Sequence, residues 1–188
     1  MRYYKKLIGE KCYLSPINID DAEKYCEWIN DLEMTQYTSL AIQQIGLSKE
    51  IEILNGMIKR GSPSFAIIDK SKNKLIGNCS LFNINKLYQT AELGIIIGDK
   101  DYWGKGFGTE AITLILDYGF NILNFHNIML ELFSFNERAL KSYKKVGFKI
   151  IGRRREAILI AGKRVDMIYM DILSEEFKSV FVEKKLMQ

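Results

Sequence analysis

The stretch Tyr102-Trp103-Gly104-Lys105-Gly106-Phe107-Gly108-Thr109-Glu110-Ala111 sets three alternating glycines just ahead of a long apolar run. Glycines let backbone approach a ligand closely, and a helix start offers unpaired N–H groups at the positive end of its dipole. The chemistry this suits is the cradling of a phosphate or pyrophosphate by Trp103, Gly104, Lys105, Gly106, Phe107, Gly108 and Thr109. Two familiar phosphate loops fail on spacing. A Walker loop needs glycine, four residues, then Gly-Lys-Ser/Thr, whereas five residues separate Gly98 from Gly104 and Gly106 follows Lys105. A dinucleotide fingerprint through Gly104 and Gly106 requires glycine or alanine where Thr109 stands. A turn without a ligand would carry the entropic cost of three glycines for no packing benefit, so a bound phosphate is the favoured reading.

The charge distribution agrees. The chain is +4 overall, but residues 136–155 carry eight basic side chains against one acid, a net +7 that leaves −3 elsewhere. So local a field suits a small polyanion rather than a long nucleic acid, and Arg153-Arg154-Arg155 lacks the aromatic platform of a nucleic-acid module. Cys12, Cys26 and Cys79 lie far apart with no Cys-x-x-Cys pair and read as reduced core thiols. His126 is the single histidine, which excludes a multi-histidine zinc site and suits a loop before a strand. Tyr143 recurs with Ala139, Leu140 and Val146 at helical spacing, so it lies on a buried face where its hydroxyl needs a partner. Glu92 shares a strand face with Gly94 and Ile96, and Glu131 with Met129 and Phe133; parity alone leaves both faces open.

Positioning these residues requires an α+β domain. With 188 residues, 47% hydrophobic and 27% charged, the chain suits one domain, 1–173, followed by a charged tail over 174–188 that could continue as helix. No apolar run is long enough to span a bilayer, and Glu10 and Lys11 interrupt any signal-like start, which predicts a cytoplasmic protein without membrane association. Cys12 to Ser15 reads as a strand. Asn18 caps a helix through Ala22, Tyr25, Cys26 and Ile29, and a second helix follows Ser48 and stops at Gly61. Strands over Ser64–Asp69, Leu75–Ile84 and Thr90–Ile97 form an antiparallel meander, the last apolar on both faces. A helix over Thr109–Asn124, a strand over Ile128–Phe133, a helix over Asn136–Val146 and two strands turning at Ala161-Gly162 complete the order.

The glycine loop resembles motif A of the GNAT superfamily of N-acetyltransferases, Gln/Arg-x-x-Gly-x-Gly/Ala. Here Trp103 takes the first position, as in the ribosomal-protein N-terminal acetyltransferase branch, and Gly106, Phe107 and Gly108 the last three. Asn136-x-x-Ala139-x-x-x-Tyr143-x-x-x-Gly147-Phe148 is similar to motif B. The ending from Phe148 to Asp166 also resembles bacterial spermidine acetyltransferases, and the resemblance is specific from about Leu75 to Asp171.

This resemblance implies a mixed, mostly antiparallel sheet of about seven strands, splayed after the fourth and flanked by about four helices. It implies acetyl-CoA as the acetyl donor, no metal, and an assembly that is a homodimer or larger homo-oligomer. Pyrophosphate would lie on the glycine loop, Ile96 and Ile97 would offer backbone groups to pantetheine and the acetyl carbonyl, and Asn136, Ala139 and Tyr143 would contact the cofactor. Tyr143 would also donate to the departing sulfur, while Glu92 or Glu131 would take the proton of the amine. The segment from Trp28 to Tyr37 resembles the substrate-side region, making Glu33 and Tyr37 acceptor-binding candidates. Thr38 to Gly46 contains no acid, which argues against a polyamine acceptor and for a protein N-terminus or small amine. The activity implied is acetyl transfer to a primary amine by direct attack through a tetrahedral intermediate. A catalytically silent CoA-binding sensor on the same fold is the alternative.

Overall fold

Strand-forming runs converge on one mixed sheet in the computed structural model, which describes residues 3–182 and 185. The strands are β1 (Leu7–Ile8), β2 (Cys12–Pro16), β3 (Ser64–Asp69), β4 (Lys74–Asn85), β5 (Thr90–Ile97), β6 (Asn127–Phe133), β7 (Lys149–Ile160) and β8 (Lys163–Leu173). Their order is β1-β2-β3-β4-β5-β6-β8-β7, antiparallel throughout except where β5 meets β6. The helices are α1 (Ala22–Ile29), α2 (Leu32–Thr35), α3 (Leu47–Arg60), α4 (Phe107–Asn121) and α5 (Glu137–Val146).

Local rules account for most of these limits. Asn18 accepts from the Asp20 amide to start the turn leading into α1, and Asn136 accepts from the Ala139 amide at the head of α5. The β7–β8 hairpin turns through Ala161 and Gly162, both at positive φ, the backbone of a tight two-residue hairpin turn. Two elements exceed the sequence expectation. β1 has two residues and α2 has four, too few for either to show a hydrophobic period, and both form because their neighbours cover them.

Register decides which side chains share a face. On one face, Leu14, Phe65, Ile67, Leu81 and Leu93 pack against Ala111, Ile112 and Ile115 of α4. On the other, Tyr13, Ala66 and Ile68 pack against Tyr25 and Trp28 of α1 and Leu54 of α3. Each fully buried aliphatic side chain contributes about 1.5–3 kcal/mol, so the two layers together hold the sheet. Cys12 and Cys79 are buried free thiols, with burial raising both pKa values, and Cys26 is a half-buried free thiol. No helix among the described residues is long and apolar enough to cross a membrane.

The sheet is incomplete at one seam. β5 pairs with β6 only at Thr90–Asn127, Ala91–Ile128 and Glu92–Met129, after which β6 continues along β8 and β5 is left open. The tail expected over 174–188 lies partly outside the described residues. Its start packs onto α4, where the buried Asp117 carboxylate accepts from Ser179 Oγ (2.8 Å) and the amides of Val180 (3.0 Å), Phe181 (2.6 Å) and Val182 (3.1 Å).

Burial alone would raise the Asp117 pKa, but the hydrogen bonds from Ser179, Phe181, Val182 and Asn121 outweigh it and hold it below the ordinary value. A depressed carboxylate stabilises the fold above its unfolded pKa and loses that contribution as pH falls through the folded value. Asp117→Ala should therefore lower stability by about 2–4 kcal/mol at neutral pH. Denaturant titrations of both proteins should show the gap closing as pH drops below about 4.

Candidate active site

The glycine loop is held from behind by its own side chains. Tyr102 donates to Asp69 Oδ2 (2.7 Å), Lys11 Nζ donates to the Lys105 carbonyl (2.9 Å), and the Phe107 ring stands edge-on to Tyr102 at 4.9 Å. In the first turn of α4, Glu110 accepts from the amides of Glu10 (2.7 Å), Lys11 (2.9 Å) and Cys12 (2.7 Å), fixing the helix to the β1–β2 hairpin. With the side chains committed there, the loop presents backbone. Gly104 (φ 71°) and Gly106 (φ 88°) are both left-handed, and a Cβ at Gly104 would meet nothing within 4 Å. Gly106 caps α4 without a side-chain acceptor, so the first amides of the helix face the loop unpaired by any cap. An anionic phosphate group fits this cradle.

From the loop, a cavity of about 870 Å³ runs to the open seam and through the sheet. Its walls include Ile112, Leu130, Leu132 and Tyr143 on the α4 and α5 side, and Tyr25, Trp28 and Leu54 on the α1 and α3 side. Gly98 donates to the Ile76 carbonyl (3.0 Å), and the Ile96 carbonyl lies where a Cβ on Gly77 would meet it at 2.1 Å. Ile96 therefore spends its backbone on β4, and alternation turns the backbone of Ile95 and Ile97 toward the seam. Trp103 Nε1 donates to the Ile97 carbonyl (2.6 Å), tying loop to strand. The Arg138 guanidinium stacks 3.8 Å from the centre of the Trp103 ring and 5.5 Å from that of Tyr37, bridging α5, the loop and the segment after α2.

Tyr143 is 8% exposed and lines the cavity, its ring edge-on to Phe148 at 5.7 Å. Burial pushes its pKa up to about 12, which keeps the phenol protonated at neutral pH and able to donate. Glu92 stands at the last paired position before the seam opens, opposite Met129. Residues paired in register point to one side, so Glu92 and Glu131 share the face covered by α1 and α3, and both line the cavity.

Of the sequence candidates, the structure gathers Ile96, Ile97, Trp103, Gly104, Gly106, Gly108, Thr109, Asn136, Ala139, Tyr143, Glu92, Glu131 and Tyr37 around this one cavity. Lys105, Phe107 and Glu33 are not in its lining. The first two anchor the loop, and Glu33 is in an exposed ion pair with Lys100 (2.5 Å), which also reaches Asp31 (2.7 Å). Sequence reading missed Glu110 as a site builder and, though it set Arg138 among basic side chains that could approach the cofactor's ribose phosphate, missed its stack on Trp103 and Tyr37. Glu110 had a signal, since an acid inside a loop expected to bind anions needs donors of its own; the Arg138 stack depends on chain segments far apart and had none.

A family model described as an acetyltransferase (GNAT) domain matches residues 11–149. The chain belongs to this family. It is an acetyl-CoA-dependent acyltransferase of the GNAT fold. An uncharacterised N-acetyltransferase, p20 of Bacillus licheniformis, is 28% identical over 174 residues, covering 91% of this chain and 97% of that protein. Spermidine N(1)-acetyltransferase of Vibrio cholerae is 33% identical over 126 residues, covering 67% and 72%. The crystal structure of a Vibrio cholerae spermidine N-acetyltransferase with CoA and spermine superposes with a TM-score of 0.81 at 28% identity, covering 89% of this chain and 98% of that one. Its eight-stranded mixed sheet and five helices form an α+β domain of the GNAT fold.

Trp103→Phe keeps an aromatic surface under Arg138 but removes the donor to Ile97, at a cost of about 1 kcal/mol. Trp103→Ala loses the ring as well and should cost at least twice as much, read as a larger fall in denaturation midpoint than Trp103→Phe produces.

Proposed function

We propose that the protein transfers the acetyl group of acetyl-CoA to a primary amine in the cytoplasm, by direct attack of the neutral amine on the thioester. Residues 1–173 form the catalytic domain and 174–188 its charged tail. The observation that carries this reading is a single cavity that crosses the sheet at the seam. A phosphate cradle lies at one mouth, a buried phenol stands in the wall, and carboxylates line the opposite face.

The amides of loop 103–109 and the start of α4 hold the pyrophosphate. The open edge of β5 at Ile95 and Ile97 takes the pantetheine amides as a further strand would, with Ile96 facing the acceptor side. Asn136 and Ala139 fix the start of α5 against the cofactor, and Arg138 adds positive charge near its phosphates. Acetyl-CoA supplies an electrophilic thioester carbonyl. Amides along the seam at Ile97 stabilise the oxygen on which negative charge develops, because they are fixed before the reaction begins. Glu92, at the fork, takes the proton that an ammonium acceptor must lose, with Glu131 on the facing lip as the second candidate. Tyr143, kept protonated by its burial, directs its hydroxyl as a hydrogen-bond donor toward the departing sulfur. Tyr37 lies on the acceptor side of the cleft.

Tyr143→Phe should fold and bind acetyl-CoA normally but lose roughly 10²–10⁴-fold in kcat, followed as CoA thiol release with a panel of peptides, amino sugars and small amines. Unchanged turnover removes this role, and acetyl-CoA binding without thiol release for any acceptor identifies a CoA-binding sensor instead. Glu92→Gln should abolish the acidic limb of the pH–rate profile while Glu131→Gln retains it; the reverse result transfers the base role to Glu131.

A further inference from the structure

Two polar groups in the cavity have no task in acetyl transfer as described. Glu50, in the first turn of α3, is 3% exposed, and its Oε2 is buried without a hydrogen-bond partner among the described residues. Tyr25 of α1 is also 3% exposed, and its hydroxyl is likewise buried and unpartnered. Both line the cavity on the face that carries Glu92, alongside Asn78 and Ser80 of β4. Register confirms the shared face: Asn78, Ser80 and Phe82 pair with Ile96, Gly94 and Glu92.

Among the described residues, no cation answers the Glu50 carboxylate. The neighbouring lysines of these helices, Lys24 and Lys49, pair with Glu27 and Glu52. The basic residues lining the cavity, Arg138 and Lys145, both belong to α5, which packs against the other face of the sheet. A buried carboxylate without a donor is costly, and a chain that folds only for stability would replace it. Burial raises its pKa while no partner is present, and a cation beside it would restore the carboxylate. The chemistry that satisfies a carboxylate, a phenol oxygen and an amide oxygen together is an ammonium group, which has three donors and no acceptor.

We infer that Glu50 and Tyr25 form a subsite for a second ammonium group of the acceptor, which makes the preferred acceptor a diamine or polyamine whose other amine reacts beside Glu92. This deepens the acetyl-transfer reading and rests on it. The acid-free stretch from Thr38 to Gly46 does not oppose it, because the acid comes from α3 instead.

Calorimetric titration of the CoA-bound protein with 1,4-diaminobutane and with butylamine tests the subsite without relying on turnover. The wild type should bind the diamine roughly tenfold or more tightly than the monoamine, and Glu50→Gln should erase that preference. Tyr25→Phe should reduce it by a smaller factor. Glu50→Gln should also melt higher than the wild type, since the amide removes an uncompensated buried carboxyl. Equal binding of the two amines by the wild type, or a preference that survives Glu50→Gln, overturns the subsite. Diamine preference without thiol release from acetyl-CoA leaves the subsite standing and refutes acetyl transfer, so the two failures are distinguishable.

Discussion

Three residue pairs between β5 and β6 are the constraint on which the rest of the molecule depends. Parallel strands in mid-sheet ordinarily pair along their length, because each unpaired buried amide or carbonyl is costly. Here β6 leaves β5 after Met129 and runs its whole length along β8, so β5 beyond Glu92 has no strand neighbour on that side, and among the described residues only the Trp103 indole reaches it, at the Ile97 carbonyl. A strand edge left open inside a protein is a template for another extended chain, and pantetheine, with its two amides, has that form. The chain tolerates the opening because helices cover both faces beside it. Ile95 and Ile97, apolar in sequence on a strand that should be covered, are instead half-buried walls of the gap.

The cleft that results passes through the sheet, which separates two chemical environments. The α4 and α5 side supplies glycine backbone, a helix start and basic side chains suited to a polyanion. The α1 and α3 side supplies Glu50, Glu92 and Tyr25, suited to a cation. In the proposed mechanism, donor and acceptor approach from opposite faces and meet at the fork, where Glu92 is the last paired residue. Trp103 and Arg138 hold the two sides in fixed relation, one by hydrogen bond to Ile97 and the other by stacking between rings from separate segments. This division explains why the basic surplus is confined to residues 136–155 while the remainder of the chain is mildly acidic.

What was legible in the sequence is what local rules determine. Asn136 before an amphipathic helix, Gly147 after it, Ala161-Gly162 between strands and the alternating glycines before α4 each have one conformational reading, and the structure shows each of them. β1 and α2 are too short to carry a period and exist because the rest of the fold covers them. The faces of Glu92 and Glu131 were undetermined for a different reason: parity fixes which residues share a side, and only register with β4 and β6 says which helices lie over it. Glu50 was hidden in the same way. In sequence it is an ordinary first-turn acid of an amphipathic helix, and its burial against Tyr25 depends on how α3 docks on α1.

The central claim, that the open edge of β5 receives the donor, is tested most directly by amide hydrogen exchange with and without CoA. Exchange should slow at the amides of Ile95 and Ile97 and across residues 103–109 when CoA is bound, with the amide of Ile96, already committed to β4, little changed. Protection of Ile96 without protection of Ile95 and Ile97, or protection confined to other surfaces, would contradict it.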